Sequence, residues 1–461
     1  MSDVTLATPR QPEILTRERG RVRTRAIAVL FWLVILGNVA AIIWLWIDAH
    51  GIDGVHDTGS LWTSIARITG LLSAYLALLQ VLLLARLPGI ERLAGFDRLT
   101  AWHRYNGRAC VILMLAHVLF VVLGYAALDH LSLFGEIKSI YATYPEMVTA
   151  TIGTGLFLAV VGTSIVIVRR RLRYEAWYCV HLLAYAAIWF AWGHQIPTGT
   201  ELASNHTASA WWTGLIVSTL ALVLLFRVLR PAVDAVRFRL RVTEVLPESA
   251  DITSIRIAGR GLSRLNAQAG QFFLWRFLSH GGNAWEAHPF SLSEAPDGVS
   301  MRITVRGSGD FTKRIHELRV GSRVIAEGPF GVFTPDLRTR ETVLLIAGGI
   351  GITPLRAMLE TLDCPATLIW RIASQDDIIF EHELRDLAVS RGVDVQFVVG
   401  DHRVPGGDQL LAAPQLLERC PDIVDRDVFI CGPPAMADAA AAAVRQLGVP
   451  NRQIHSERFA L

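Results

Sequence analysis

The sequence predicts a membrane α-helical bundle of six transmembrane helices fused to two soluble domains. The first of these is an antiparallel β-barrel and the second an α/β doubly wound nucleotide-binding domain. Three observations predict this. Six apolar stretches, each near the roughly 20 residues that cross a hydrocarbon core, fill the first half. The composition breaks near Pro231, after which charge, glycine and short alternating segments dominate. Near residue 340 the alternation gives way to a strand, helix, strand pattern.

Composition sets the outer bounds. Of 461 residues, 52% are apolar and 18% charged, with a mean hydropathy of +0.38. A soluble chain carries about 25% charge, so part of this one belongs in a lipid bilayer. The net charge is +3, and the basic residues cluster at the ends of the apolar stretches, which speaks against a nucleic-acid partner. The 5 cysteines are scattered. Their spacing fits neither a disulfide framework nor a zinc site, and an iron–sulfur cluster would need closely spaced thiolates.

The apolar stretches lie near 26–48, 61–85, 104–127, 147–168, 177–195 and 209–229. Arginines mark one side of them: Arg17, Arg19, Arg21, Arg23 and Arg25, then Arg86, Arg92 and Arg98, then Arg169, Arg170, Arg171 and Arg173, and finally Arg227 and Arg230. The opposite loops hold Asp53, Asp57, Asp129, Glu136, Glu146 and Glu201, with Lys138 as their only Lys or Arg. Short loops rich in Lys and Arg stay inside, so the N-terminus and the soluble half are expected to be cytoplasmic, in an integral protein of the cell membrane. Residues 1–25 read as a loose cytoplasmic tail and 26–232 as the six-helix domain. Residues 233–337 read as the barrel and 338–461 as the nucleotide-binding domain.

Ionisable groups inside a membrane are costly and mark function. His103 and His117 lie fourteen residues apart in the third stretch. On a helix they fall within about 40° of one face, about 21 Å apart along the axis. The fifth stretch carries His181 and His194 at matching heights. Facing imidazoles in an apolar pocket suit haem iron, so two bis-histidine b-type haems stacked across the bilayer are expected. Arg104 and Arg108 stand ready for inner haem propionates and Arg67 for the outer haem. The thirteen-residue spacing of His181 and His194 turns an ideal helix by about 220° beyond full turns, so that helix is expected to be tightened or bent. His50, His56, His130 and His206 read as solvated loop residues near the outer face.

In the soluble half, RFRLRVTEVLP, ITSIRIAG, GQFFLWRFL, SMRITVRG and SRVIAEGPFG read as barrel strands. HPFSLSE follows the third, and RGSGDFT leads into an expected helix over KRIHEL. A basic residue, a glycine and a threonine ahead of a helix suit a pyrophosphate. Further on, ETVLLIAGGIGITPLRAMLETL is a strand, a glycine-rich turn and a helix, while TLIWRIAS, VDVQFVVG and RDVFICGPPAM supply further strands. This is a doubly wound sheet with its nucleotide at the strand ends.

Together these residues resemble the ferric reductase and NADPH oxidase superfamily, a six-helix haem domain fused to a ferredoxin–NADP reductase-like module. The likeness covers nearly everything after residue 26 and includes the fourteen and thirteen spacing of the histidines. By that resemblance His288, Pro289, Phe290 and Ser291 hold FAD, with Phe290 on the isoalloxazine and Ser291 near its N5. Arg306, Gly309 and Thr312 match the element on the FAD pyrophosphate. Gly348, Gly349, Gly351, Thr353 and Pro354 match the turn under the nicotinamide nucleotide, while Cys431, Gly432 and Pro433 match the element beside its ring. Phe459 would cover the flavin and yield to nicotinamide, although two residues follow it here where the oxidases usually end on the aromatic. Many relatives carry a basic residue where this chain has Ala373. Arg371 and Ser374 are the remaining candidates for a 2′-phosphate, which favours NADPH with NADH as the alternative.

The function expected is electron transfer from cytoplasmic NAD(P)H through FAD and two haems to an acceptor on the outer face. FAD takes two electrons and yields them singly. With both axial positions filled by histidine, the acceptor must react at the haem edge. Arg67 tilts the expectation toward O2 giving superoxide, with a ferric chelate as the alternative. Two other readings stand beside it: a cytochrome feeding a quinone or a separate periplasmic partner, and a purely structural anchor for a soluble flavin reductase. Nothing in the sequence speaks to oligomeric state.

Overall fold

The computed structural model describes residues 11–165, 168, 171–172, 174–278, 286–400 and 407–459, with side chains from Ala26 onward and apart from a few positions in helices. Arg169, Arg170 and Arg173 lie outside the described residues, as do the side chains of Arg17 to Arg25 and of Arg92. Two compact units emerge, Glu18–Arg227 and Val228–Leu461.

The first unit is helical. Helix α1 spans Gln11–Asp48, α2 Thr58–Leu83, α3 Pro88–Leu128, α4 Leu133–Thr143, α5 Met147–Ser164, α6 Tyr174–Thr198, α7 Thr200–Ala203 and α8 His206–Leu224. Among the described residues six helices are long and apolar enough to cross a membrane. Their spans start or end within a few residues of the expected ones at most boundaries. The sixth is the exception. It continues through a π-turn at Leu225–Leu229 into α9, Arg230–Phe238. The expected loose tail is corrected in part, because α1 is already helical at Gln11. Arginine and glutamate are good helix formers, and the only glycine in that stretch is Gly20.

Large apolar side chains of α1 point outward: Leu30 is 61% exposed and Leu33 63%. That is the composition of a lipid-facing surface. Inward, the helices meet through small residues. A Cβ at Gly153 on α5 would stand 2.9 Å from the Ala187 carbonyl and 3.0 Å from the Ala191 nitrogen of α6, which is how close helix packing in lipid is reached. Helix α3 breaks at Gly95, whose φ of 74° and ψ of 155° are non-helical. The short segment before it is thereby separated from the span that carries His103 and His117.

The second unit begins with strands β1 Arg241–Pro247, β2 Ile252–Ala258, β3 Phe272–Phe277, β4 His288–Ser291, β5 Ser300–Arg306 and β6 Val324–Phe330. They form two three-stranded antiparallel sheets, ordered β1-β2-β5 and β4-β3-β6. Bridges at Arg241–Arg323 and Leu292–Ile303 join them into the expected barrel. Phe273, Trp275, Ile255, Ile257 and Ile303 fill its interior with no measurable exposure.

The nucleotide-binding domain follows: β7 Val343–Gly348, α10 Ile352–Leu359, β8 Ala366–Ile372, α11 Glu381–Arg391, β9 Asp394–Val399, α12 Ala413–Arg419, β10 Asp427–Gly432, α13 Pro434–Gln446 and β11 Ile454–Arg458. The five parallel strands are ordered β11-β10-β7-β8-β9. Strand β7 is buried along its whole length, as a central strand covered on both faces should be. The edge strand β11 was not read from sequence, because IHSER lacks an apolar run.

A buried carboxylate pins β10. Asp427 is 0% exposed and accepts hydrogen bonds from the Thr339 and Arg340 backbone N–H groups and the Thr339 hydroxyl. Burial pushes its pKa up, but His455 and these donors outweigh it and hold the group below its usual value. Asp427→Asn replaces an acceptor oxygen with a donor facing two N–H groups. It should cost about 1–3 kcal/mol, read as a lower urea midpoint of the soluble half. No shift in midpoint would show that the carboxylate does not hold this strand.

Candidate functional site

Helix α2 organises the membrane site. Its last four carbonyls have no partner within the helix, and His103 Nδ1 takes one of them, donating to the Gln80 carbonyl at 3.0 Å. Asn106, one turn later on α3, donates to the Leu76 carbonyl at 2.8 Å and the Gln80 side chain at 2.7 Å. Toward the other end of α2, His117 Nδ1 donates to the Ala66 carbonyl at 2.8 Å. The ring reaches that carbonyl across Gly70, where a Cβ would stand 2.6 Å from Nδ1. A backbone carbonyl on Nδ1 fixes the tautomer and leaves Nε2 free as a metal ligand.

The partners come from α6. His181 faces His103 with ring centres 6.1 Å apart and planes at 53°. A metal–imidazole bond of about 2 Å on each side puts two ring centres about 6 Å apart, so the spacing fits one iron between them. His117 and His194 line a second space, a cavity of about 460 Å³ shared with Gly70, Ala74, Gly153 and Arg67. His194 Nδ1 is buried there without a hydrogen-bond partner. On the one helix α6, His181 thus faces His103 while His194 shares a cavity with His117. The donor set of four imidazoles in an apolar wall fits two haems with bis-histidine ligation.

Arg67 lines the same cavity as His117 and His194, and it has a partner the sequence did not reveal. Its Nε donates to Glu201 at 2.7 Å and its Nη2 to the Ala49 carbonyl at 2.6 Å, and the Glu201 side chain is 2% exposed. The only sequence signal was one acid in the outer loop GTELAS. Arg104 and Arg108 are exposed, with Arg108 over the Tyr105 ring. They are rotated by about 100° and 140° from His103 around α3. Among the described residues no group of three or more His, Cys, Asp or Glu is gathered as a metal centre, so the outer-loop histidines form none there.

In the soluble unit, β4 is the HPFS segment itself. Its pairing with β3 sets Ser291 opposite Phe272 and His288 opposite Trp275, and Trp275 Nε1 donates to the Phe290 carbonyl at 3.0 Å. Phe290 and His288 are half-buried and Ser291 buried, while Pro289 is exposed. The sequence did not single out Phe311, which stacks on His288 with centres 3.9 Å apart and planes at 8°. The expected helix over KRIHEL is absent. A single turn, Asp310–Lys313, is followed by a 3₁₀ turn at Ile315–Glu317. Thr312 Oγ1 accepts from the Gly309 N–H at 2.8 Å and the Ser308 N–H at 3.0 Å. So short a turn has almost no dipole. The cation beside it is Arg306, which pairs with Asp251 at 2.8 Å and with Asp377.

The glycine-rich turn lies where β7 ends, with Gly349 at a φ of +50° and a 3₁₀ turn over Gly349–Gly351. A Cβ at Gly351 would collide with the Cys431 carbonyl, so the turn and the end of β10 are brought into contact by the missing side chain. Thr353 and Pro354 are buried at the start of α10. Cys431 is fully buried, and burial followed by the Glu457 charge raises its thiol well above the usual value. Phe459 is tied next to it by its backbone N–H, which donates to the Gly432 carbonyl at 3.1 Å. Arg371 and Ser374 both stand at the end of β8. The Arg371 guanidinium donates to the Ile372 carbonyl at 2.8 Å and to the Gly400 carbonyl. Ser374 Oγ accepts from the Asp376 N–H at 3.3 Å.

The barrel and the sheet are joined by a buried ionic cluster the sequence did not disclose. Arg302 of β5 makes a bidentate pair with Glu383 of α11, both bonds 2.8 Å. Arg356 of α10 also pairs with Glu383 and with Glu360, and donates to the Ser293 carbonyl at 3.0 Å.

His288 carries a pH signature. Burial, then the nearby Arg276 charge, pushes its pKa down to about 4. The unfolded chain therefore binds an extra proton between about 4 and the usual 6.5, and stability rises with pH across that window. We expect up to about 3 kcal/mol to be lost as pH falls from 6.5 toward 4. Thermal unfolding of the soluble half should show it, with a flatter slope in His288→Gln. Equal slopes in the two proteins would mean that the ring is not buried in its neutral form.

The comparisons match this geometry in sequence. Residues 69–192 match the ferric reductase like transmembrane component family, 238–334 an FAD-binding domain and 345–442 an oxidoreductase NAD-binding domain. The soluble half is 30% identical over 231 residues to a flavohemoprotein of Vibrio cholerae, 47% of this chain and 58% of that one. It is 28% identical over 248 residues to ferredoxin–NADP reductase B of Sorangium cellulosum, 49% of this chain and 99% of that one. Among solved structures, the flavohem-like FAD/NAD-binding domain of nitric oxide dioxygenase from Vibrio cholerae aligns at 28% identity and a TM-score of 0.42, over 48% of this chain and 99% of that one. This chain thus spans little more than half of the Vibrio flavohemoprotein and nearly all of the Sorangium reductase. With a ferric reductase-like transmembrane component followed by FAD-binding and NAD-binding domains, the chain is an oxidoreductase with the architecture of the ferric reductase/NADPH oxidase-like superfamily.

Proposed function

We propose that the chain transfers electrons across the cell membrane, from NAD(P)H on the cytoplasmic side to an acceptor on the outer side. The observation that carries this is the stacking of two histidine pairs along α3 and α6, one with ring centres 6.1 Å apart and the other lining the outer cavity. When bound, FAD and two b-type haems supply the conversion of hydride to single electrons and the path through the bilayer. The chain's residues position them. His103, His117, His181 and His194 would hold the two haem irons, and the carbonyls of Gln80 and Ala66 orient the two rings of α3. Phe290 and Ser291 offer the flavin face, and Arg306 the cation for its pyrophosphate. The Gly348–Gly351 turn, Thr353, Pro354 and the Cys431–Pro433 segment hold the nicotinamide nucleotide, with Phe459 as the movable cover.

We assign O2 as the acceptor, reduced by one electron to superoxide beside Arg67 in the outer cavity. A ferric chelate is the second reading, favoured by the ferric reductase-like match over residues 69–192. The test uses purified full-length protein in detergent. Anaerobic reduction by NAD(P)H should bring up reduced haem bands, and aerated buffer should then reoxidise them with release of superoxide. Rapid reoxidation by an anaerobic ferric chelate, with slow reaction toward oxygen, would replace O2 by iron. A protein without haem bands would sink the whole scheme. His117→Ala should lose about half of the haem absorbance, and Gly70→Val should do the same by displacing the His117 ring. Unchanged haem content in both variants would overturn the outer pair.

A further inference from the structure

The end of β8 bears on which nucleotide the protein uses, an inference that rests on the proposed NAD(P)H site. In a doubly wound sheet the nucleotide lies across the carboxyl ends of the strands, phosphates at the glycine-rich turn and adenosine ribose over the neighbouring strand. Here the turn follows β7, and β7 pairs with β8 so that Gly348 stands opposite Arg371. The ribose therefore falls on the segment from Ile372 to Asp377. That segment must either hold a 2′-phosphate with a cation or hold a 2′-hydroxyl with an acceptor.

Among the described residues its cations, Arg371 and Arg306, are already occupied. The Arg371 guanidinium bonds back to the Ile372 and Gly400 carbonyls, tying the end of β8 to the end of β9. Arg306 is held between Asp251 and Asp377. Ala373 supplies nothing polar. What the segment presents instead is acid. Asp377 accepts from the Ser374 N–H at 3.2 Å while it pairs with Arg306. Asp376 is exposed, and its N–H is taken by Ser374 Oγ, which fixes the backbone beneath its carboxylate. The Asp376 carboxylate repels a phosphate dianion, whereas it is a strong acceptor for a ribose hydroxyl.

We infer that this site selects NADH over NADPH, with Asp376 as the specificity-determining residue that accepts from the adenosine ribose and excludes a 2′-phosphate. The expectation that Arg371 and Ser374 hold the phosphate is thereby reversed, because both side chains serve the local backbone.

Two measurements on the full-length protein test this. The first is titration calorimetry with ADP-ribose and with its 2′-phosphate, which reads binding whether or not the flavin is reduced. ADP-ribose should bind at least about tenfold more tightly, about 1.4 kcal/mol. The second is stopped-flow reduction of the flavin by each nucleotide. The preference for NADH should appear in the concentration for half-maximal rate and not in the limiting rate. Asp376→Ala should narrow the ratio, and Ala373→Arg should raise affinity for the 2′-phosphate, both with unchanged flavin absorbance as evidence of folding. Tighter binding of the 2′-phosphate by the wild-type protein, or a ratio unmoved by Asp376→Ala, would overturn the inference. Failure of both nucleotides to reduce the flavin, with the calorimetric preference intact, would instead sink the proposed electron donor.

Discussion

The membrane unit depends on the rule that a polar group in hydrocarbon must find its partner within the protein. A free imidazole nitrogen between helices is expensive. Helix α2 resolves this twice, once with a carbonyl of its final turn and once with the Ala66 carbonyl beside Gly70. Each bond satisfies one ring nitrogen and aims the other. The same two contacts bind α3 to α2, so imidazole orientation and helix packing are a single arrangement. Asn106 reinforces it from the next turn, and Ser73 does so midway, donating to the Cys110 carbonyl at 2.9 Å. The histidines are therefore built into the bundle, and an altered helix contact is also a displaced imidazole.

The soluble unit obeys a different economy. Its strands bury apolar side chains thoroughly, and its chemistry sits where strands end and backbones come close. The turn after β7 touches the end of β10 because Gly351 has no side chain, and the Phe459 N–H bonds to the Gly432 carbonyl at that point. Motifs far apart in the chain thus share one strand-end region by sheet order alone.

Much of this was legible in the sequence. The six spans announce themselves through hydropathy. The His103 and His117 spacing names a common face. The barrel strands follow from alternation, and the glycine-rich turn from the apolar run of β7. What escaped has physical reasons. Glu201 is one acid in a polar loop, and nothing local says it will be buried against Arg67, more than a hundred positions away. Strand β11 carries polar residues because it is an edge. The helix over KRIHEL had helix-forming residues and still shortened to turns, since tertiary contacts outweigh propensity. The Arg302, Arg356 and Glu383 cluster joins three elements whose charges each look solvated when read alone. Arg371 is the most instructive case. Its residue type suits a phosphate, but its geometry assigns it to two carbonyls.

That ionic cluster also has a bearing on conditions of use. Arg302 is 4% exposed and Arg356 5%, and although their partner Glu383 keeps 34% of its side chain exposed, screening over about 8 Å at physiological ionic strength acts on the cluster less than on a fully exposed pair. The cost of keeping such charges out of water also falls on warming. The joint between the barrel and the nucleotide sheet is therefore of a kind that tolerates brine and heat better than an exposed ion pair would.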